Sequence, residues 1–372
     1  MAGTVVITGG GTGGHVFPMR AVADALRESG VNDDDLRFVG SRRGQERDLL
    51  ADDRVRLTLL PGRGLRRSWR ARDVWANALA VGGLLGATAL SMFLVRRWRA
   101  SVVVSVGGYA SVATTLAAVC WRVPVVLVES DATAGAAQRL VARVAAARCC
   151  AFGAEGENVV VTGAPIRKEV EAVDRSEHAR SLAKRRIEPP IDEDRAVVVV
   201  MTGSLGSSRV NGAVSELASL WSSRRDRTII HVTGRRDYDD VLSRRPRVDG
   251  LDYRILAFAD MTELWGLCDI AVCRAGAITI AELTALAIPS ILVPLPGAPY
   301  DHQTRNAVAV ADAGGAIVVR DANCTGAELA EQLDDALDSA RNIEMARRAG
   351  AQGRRNAAGA IAAVVLGIRG RA

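Results

Sequence analysis

Val5-Val6-Ile7-Thr8-Gly9-Gly10-Gly11-Thr12-Gly13-Gly14-His15 is the stretch on which the reading of this chain turns. The apolar run predicts a buried strand, and the glycines crowded behind it predict a tight turn into a helix. Glycine takes positive φ without penalty and lets backbone N–H groups approach an anion closely. The same construction returns in Val197-Val198-Val199-Val200-Met201-Thr202-Gly203-Ser204-Leu205-Gly206, at the head of the other half. Two glycine turns, each opening its own half, imply a ligand held between two similar domains.

Working outward, short apolar runs alternate with helical stretches. Val5–Thr8, Leu36–Gly40, Ser101–Val106 and Val125–Val128 read as strands, and Ala21, Val22, Ala25 and Leu26 form one apolar face of a helix from Pro18 to Glu28. The second half repeats the pattern with strands at Ala196–Thr202, Thr228–Thr233, Arg254–Phe258, Asp269–Cys273 and Ser290–Val293. This alternation predicts an α/β fold of two Rossmann-like, doubly wound domains facing a cleft. The 372 residues suit two domains. The boundaries expected are residues 1–163, a charged, proline-containing connection over 164–194, a second domain over 195–345, and a C-terminal helix over 346–372 packing back toward the first domain.

The net charge is +6, and 46 of the 48 basic residues are arginine, a skew that reads as a compositional habit. The arginines cluster beside tryptophan in Arg63-Gly64-Leu65-Arg66-Arg67-Ser68-Trp69-Arg70-Ala71-Arg72 and in Arg96-Arg97-Trp98-Arg99. Such clusters suit an anionic membrane surface or a nucleic acid; an ordinary solvated loop is the other reading. The six cysteines show no CxxC spacing and read as small buried hydrophobes in a reducing compartment. The N-terminus lacks the pattern of a secretion signal. Val74–Val95 carries no charge over 22 residues, long enough to cross a bilayer. Interruptions around Gly82-Gly83 and Thr88, with Asn77, point instead to a buried or membrane-surface helix; a span stays open.

Gly9, Gly11 and Gly14 satisfy GxGxxG, the pattern of a dinucleotide site. The acidic residue such a site needs after the second strand is absent, because the chain reads Gly40-Ser41-Arg42-Arg43 there. An NADP-linked oxidoreductase, with Arg42 on a 2′-phosphate, is left as an alternative. His15 lies at the mouth of the first helix, where its imidazole can reach a ligand hydroxyl or cap the turn. In the second half, Asp269 to Glu282 reads as strand, glycine turn and helix start, a place for a diphosphate without a metal. Thr279 and Glu282 share a helix face, so Glu282 can meet a vicinal diol or complement the helix dipole. Asp301-His302-Gln303-Thr304-Arg305-Asn306 supplies uncharged amides suited to sugar hydroxyls, and Arg167 follows Gly163-Ala164-Pro165-Ile166 at the domain junction. No metal-ligand set is visible; assistance from a divalent cation is left open.

Taken together, Gly10-Gly11-Thr12-Gly13-Gly14-His15-Val16-Phe17-Pro18, Gly107-Gly108-Tyr109, Gly163-Ala164-Pro165-Ile166-Arg167, Gly203-Ser204, Arg274-Ala275-Gly276-Ala277-Ile278-Thr279 with Glu282, and Asp301-His302-Gln303 with Asn306 resemble the MurG family. These are the N-acetylglucosaminyltransferases of peptidoglycan synthesis. The resemblance implies the GT-B glycosyltransferase fold and an inverting transfer of N-acetylglucosamine from UDP-N-acetylglucosamine to lipid I, giving lipid II. It implies a donor site of Gly11, Thr12, Gly13, Gly14, Asp131, Arg167, Ser204, Phe258 at the uracil, Ala277, Ile278 and Thr279 at the diphosphate, Glu282 at the ribose, and Gln303 and Asn306 at the sugar. The acceptor would meet His15, Gly107, Gly108 and Tyr109, with His15 or Glu129 as the base. Trp69 to Arg99 would rest on anionic phospholipids at the cytoplasmic face of the membrane, without nucleic acid and with other cell-wall enzymes as further candidate partners. The chain departs from the family's usual residues at Val128-Glu129-Ser130-Asp131, Leu205, Ala164 and Ala110-Ser111-Val112. A relative that binds nucleotide-sugar or lipid without turnover is therefore the second alternative.

Overall fold

The structure, a computed structural model, describes residues 3–11, 13–44, 46–51, 54–61, 71–203 and 206–370, with the backbone alone at 71–79, 109, 136 and 137. It divides into two units, Met1–Arg167 with Asn356–Ala372, and Lys168–Arg355. The first unit holds seven strands: β1 Thr4–Thr8, β2 Leu36–Ser41, β3 Arg56–Leu60, β4 Ala100–Ser105, β5 Val125–Glu129, β6 Ala147–Cys150 and β7 Val159–Val161. All pairings are parallel, in the order β3-β2-β1-β4-β5-β6-β7. Val5, Val6 and Ile7 are wholly buried, as expected of a central parallel strand covered on both faces.

The second unit repeats the plan with β8 Ala196–Met201, β9 Arg227–Val232, β10 Asp252–Leu256, β11 Ile270–Cys273, β12 Ser290–Leu292 and β13 Ala316–Val318. Its order is β10-β9-β8-β11-β12-β13, again parallel throughout. In both sheets the strand order reverses beside the first strand, between β1 and β4 and between β8 and β11. Ligand crevices of doubly wound sheets open at this point, outside the carboxyl ends of the strands. All four of those strand ends run into glycine: Gly9–Gly11, Gly107-Gly108, Gly203 and Gly276.

Two boundaries differ from the sequence reading. Residues 168–194 belong to the second unit, with helices Lys168–Glu171 and Glu177–Arg186, and Lys184 is nearly buried, donating to the carbonyls of Glu193 and Arg195. The helix Ser339–Gln352 stays with the second unit, whereas Ala357–Arg369 completes the first. There Ile361, Ala362 and Val365 share a core with Ile7, Val22 and Leu26.

The long apolar segment forms the helix Ala71–Arg97. Its window Ala80–Arg97, with mean hydropathy 1.2, has the length and composition of a membrane span. Its burial has another form. Ala80, Ala87, Ser91 and Val95 are buried along one stripe, and Leu84, Leu94 and Trp98 pack on the core around Val103 and Leu127. Val81, Leu85 and Phe93 are exposed on the rest. Over Ala80–Arg97 the helix is thus fastened to the first unit along one stripe, with apolar side chains exposed on its other face. Five of the cysteines are buried and Cys120 is exposed, all unpaired.

Candidate active site

The turn after β1 has Gly10 at φ 142° and Gly11 at φ 111°. It is occupied from within the protein. Glu46 is wholly buried, and its Oε1 accepts from the N–H groups of Gly11 at 3.1 Å and Ser41 at 2.8 Å. Its Oε2 has no hydrogen-bond partner among the described residues. A Cβ at Gly10 would overlap this carboxylate, so the glycine there makes room for an acid side chain. The Gly11 N–H is thus engaged by Glu46 in this structure. Gly13 and Gly14 begin the helix Gly13–Glu28, half-buried and exposed respectively; Thr12 lies outside the described residues.

His15 is half-buried in the first turn of that helix. Its ring lies against the turn after β4, where a Cβ on Gly107 would stand 3.2 Å from Cδ2 and 3.3 Å from Nε2. Gly108, at φ 86°, approaches the Gly10 carbonyl so closely that no side chain fits between them. The fold thus brings His15, the first glycine turn and Gly107-Gly108 together. Tyr109 opens the helix Tyr109–Cys120, and its side chain lies outside the description. Gln138, absent from the sequence reading, is buried beside Gly107 and donates to the Val128 carbonyl at 2.7 Å.

Glu129 ends β5 and is buried, with both oxygens engaged by Arg148 of β6: Nε to Oε1 at 3.1 Å and Nη2 to Oε2 at 2.8 Å. That hydrogen bonding raises Arg148 above its ordinary pKa. The carboxylate is committed to a two-pronged ion pair across two strands, a poor situation for a proton acceptor. Asp131 is half-buried two residues further on, and Arg167 is half-buried with its guanidinium 5.2 Å from the centre of the Phe17 ring.

In the second unit, Ser204 and Leu205 lie outside the described residues. Gly206, at φ 76°, leads to Ser207, the N-cap of the helix Ser208–Leu220. Behind this turn is a buried polar network. His231 is wholly buried, with Nδ1 2.9 Å from the Tyr253 hydroxyl and Nε2 2.9 Å from Asn211 Oδ1. Burial pushes its pKa down to about 3, so the imidazole is neutral. Asn211 in turn donates to the Thr233 carbonyl and to Asp237 Oδ2 at 3.0 Å. Arg274, at the end of β11, joins three loops: it donates to Ser207 Oγ at 2.5 Å and to the carbonyls of Val293 and Pro294, and pairs with Asp321 at 2.6 Å.

The helix Ala277–Ala285 follows Gly276, and no side chain caps its N-terminus. Ala277, Ile278 and Thr279 are half-buried there. Their N–H groups precede the first intrahelical bond and carry the positive end of the dipole, the arrangement that receives phosphate. Glu282 lies further along the same helix, buried, with Oε2 accepting from the indole Nε1 of Trp265 at 3.0 Å. Gln303 Oε1 accepts from the Leu295 N–H at 2.9 Å, which fixes the orientation of its amide. Asn306 is wholly buried and donates to the Ala275 carbonyl at 3.2 Å, tying the helix His302–Asp312 to the turn before Ala277. Tyr300 and Asp301, at φ 56° and 53°, are consecutive left-handed residues just ahead of Gln303, backbone strain of the kind found beside ligand sites. Phe258 is exposed beyond β10, with the Arg235 guanidinium 5.1 Å from its ring centre. Among the described residues no group of three or more His, Cys, Asp or Glu side chains is placed to hold a metal ion.

Two doubly wound domains, each with glycine turns at its switch point, and an uncapped helix start with an acid on the same helix define a two-domain nucleotide-sugar glycosyltransferase. Residues 5–149 match the Glycosyltransferase family 28 N-terminal domain, and residues 197–361 match the Glycosyltransferase family 28 C-terminal domain. The UDP-N-acetylglucosamine--N-acetylmuramyl-(pentapeptide) pyrophosphoryl-undecaprenol N-acetylglucosamine transferase of Moorella thermoacetica is 34% identical over 97% of this chain and 98% of its own length. The Salinibacter ruber protein of the same name is also 34% identical, over 99% and 97%. The solved structure of Acinetobacter baumannii MurG superposes with a TM-score of 0.79 at 26% identity, covering 98% of this chain and 99% of that one. The chain belongs to this family of N-acetylglucosamine transferases. Membership sets aside the oxidoreductase alternative, in keeping with the missing acid after β2.

Proposed function

We infer that this chain transfers N-acetylglucosamine from UDP-N-acetylglucosamine to the N-acetylmuramyl-pentapeptide of lipid I, producing lipid II. The observation that carries the reading is the uncapped helix start at Ala277–Thr279 with Glu282 further along it, within a chain matched over nearly its whole length by this family. The acceptor hydroxyl attacks the anomeric carbon from the face opposite UDP. The new C–O bond forms as the bond to the β-phosphate oxygen breaks, inverting the centre; UDP keeps the electron pair, and the hydroxyl proton passes to a base. His15 takes that proton in our reading, since a neutral imidazole accepts protons near pH 7. The N–H groups of Ala277, Ile278 and Thr279, with Ser204, stabilise the departing diphosphate, a preorganised contribution of roughly 3 kcal/mol for a strong donor.

Glu282 accepts from the ribose diol, Phe258 with Arg235 faces the uracil, and Gln303 meets the sugar. Glu282→Ala is expected to weaken UDP binding by about 10- to 100-fold, the effect of losing a hydrogen bond to a charged acceptor. Calorimetric titration is the check, and affinity kept within twofold would remove the ribose assignment. The activity itself is tested by incubating the protein with UDP-N-acetylglucosamine and a short-chain lipid I analogue. Release of UDP together with a disaccharide product is the expected result.

The same reading puts the protein peripherally on the cytoplasmic face of the membrane. Supporting it is an open cavity of about 600 Å³ lined by Met92, Phe93, Arg96, Arg97 and Trp121, which combines apolar side chains with guanidinium groups. Arg96 lies 5.1 Å from the centre of the Trp121 ring, and the indole donates to the Met92 carbonyl. The arginine cluster from Arg63 to Arg70 lies outside the described residues, as does the Arg72 side chain. Near an anionic surface each arginine contributes about 1 kcal/mol, so Arg96→Ala with Arg97→Ala should lower partitioning onto phosphatidylglycerol vesicles by about 30-fold. High salt should have a similar effect. Vesicle sedimentation checks this, and binding indifferent to both salt and the substitutions would remove the electrostatic part of the proposal.

A further inference from the structure

Glu282 is held by a side chain that no sequence motif marks. We propose that Trp265 is a positioning residue for donor recognition: its indole N–H fixes the Glu282 carboxylate in the orientation that receives the ribose diol of a uridine diphosphate. The proposal rests on the ribose assignment made above.

Trp265 is a wholly buried side chain in the short helix Met261–Leu267. The indole has one polar hydrogen, and it is directed to Glu282 Oε2 at 3.0 Å. A glutamate has three rotatable side-chain bonds. Tethering one oxygen in the folded protein removes much of that freedom before a ligand arrives, so less ordering remains to be done on binding.

The tryptophan is itself held at both ends of its helix. Asp260 caps the N-terminus, accepting from the Thr262 N–H at 3.0 Å. At the other end the Arg175 guanidinium donates to the carbonyls of Trp265 and Cys268, the second at 2.8 Å. Burial lowers Arg175 to about 10, which leaves it cationic at neutral pH. Arg175, the helix, Trp265 and Glu282 form one run of contacts inside the second unit, ending on a single carboxylate. The diphosphate donors at Ala277–Thr279 are backbone groups outside this run. The influence of Trp265 therefore falls on the ribose and spares the phosphates.

The test is calorimetric titration of the full chain with UDP and with 2′,3′-dideoxy-UDP, for the unaltered protein, Trp265→Phe, Glu282→Ala and the double variant. The unaltered protein should prefer UDP by about tenfold or more, and Glu282→Ala should abolish that preference. Trp265→Phe should reduce it to about twofold while binding the dideoxy compound within about twofold of the unaltered protein; the double variant should lose nothing further. A full preference retained in Trp265→Phe overturns the proposal and leaves the ribose assignment standing. Equal weakening toward both compounds assigns Trp265 to packing alone and overturns it as well. Failure of the unaltered protein to discriminate, or discrimination kept in Glu282→Ala, defeats the ribose assignment and the proposal with it. Should the phenyl variant fail to fold, benzothienylalanine introduced at position 265 keeps the bicyclic shape without the N–H and yields the same readings.

Discussion

His15→Ala is expected to lower turnover by about 10²- to 10⁴-fold while UDP affinity stays within twofold, because a general base acts chiefly in the transition state. The imidazole sits half-buried in the first turn of the helix Gly13–Glu28, against the Gly107 turn, where two strand ends at the switch point converge. Glu129, the other candidate, is expected to behave differently. Both its oxygens are engaged by Arg148, and the pair is nearly enclosed, with side-chain exposures of 5% and 17%. Glu129→Gln breaks a largely buried ion pair, a loss of about 3 kcal/mol at most, since the amide keeps one acceptor. It should lower the melting temperature while the folded protein turns over within a few-fold of normal. Steady-state kinetics, calorimetry and thermal melting separate the two. Should His15→Ala turn over normally while Glu129→Gln is inert yet melts as the unaltered protein does, the base is Glu129.

The contrast between these residues illustrates what was legible in the sequence. Glycine turns behind apolar runs are local signals, and both doubly wound sheets follow from them because a buried parallel strand and its turn are written in adjacent residues. The stretch over 164–194 reads as a connection because it is charged and contains prolines. In the fold, Lys184 is buried on two carbonyls, and Arg180 pairs with Asp269 at the head of β11, which no local pattern announces. The long helix was ambiguous for a related reason. Composition records that Val74–Val95 is apolar, whereas only tertiary packing distinguishes the buried stripe of Ala80, Ala87, Ser91 and Val95 from the exposed Val81, Leu85 and Phe93. Within the site, the glycines, His15 and Glu282 were found by motif. Trp265, Arg274 and Gln138 were missed as site residues because each works through a partner supplied by another element. Glu46 left one faint trace: Gly40 and Gly44 precede it at positions where a Cβ would crowd its side chain.

Glu46→Ala is expected to have the largest effect on stability. The substitution leaves the N–H groups of the buried Ser41 and the exposed Gly11 without their acceptor. The buried donor left unsatisfied costs about 1–3 kcal/mol and the exposed one, open to water, about 1 kcal/mol, so a combined loss of about 3 kcal/mol is expected. For a unit of this size 1 kcal/mol corresponds to roughly 2–4 °C, which places the expected fall in melting temperature near 10 °C. Glu46→Gln retains an oxygen at the Oε1 position and should lose less than half as much. Turnover should fall with stability, by about 10²-fold in Glu46→Ala, because the loosened turn carries the helix that presents His15 and a displacement of about 1 Å is enough to cost that much. Formate offers a separate reading. A small carboxylate that enters the space left by the glutamate side chain meets the same two N–H groups, so it should raise the melting temperature of Glu46→Ala and leave the unaltered protein unmoved. Melting of Glu46→Ala within about 2 °C of the unaltered protein, with normal turnover, would mean that the first glycine turn holds its shape without an internal anion.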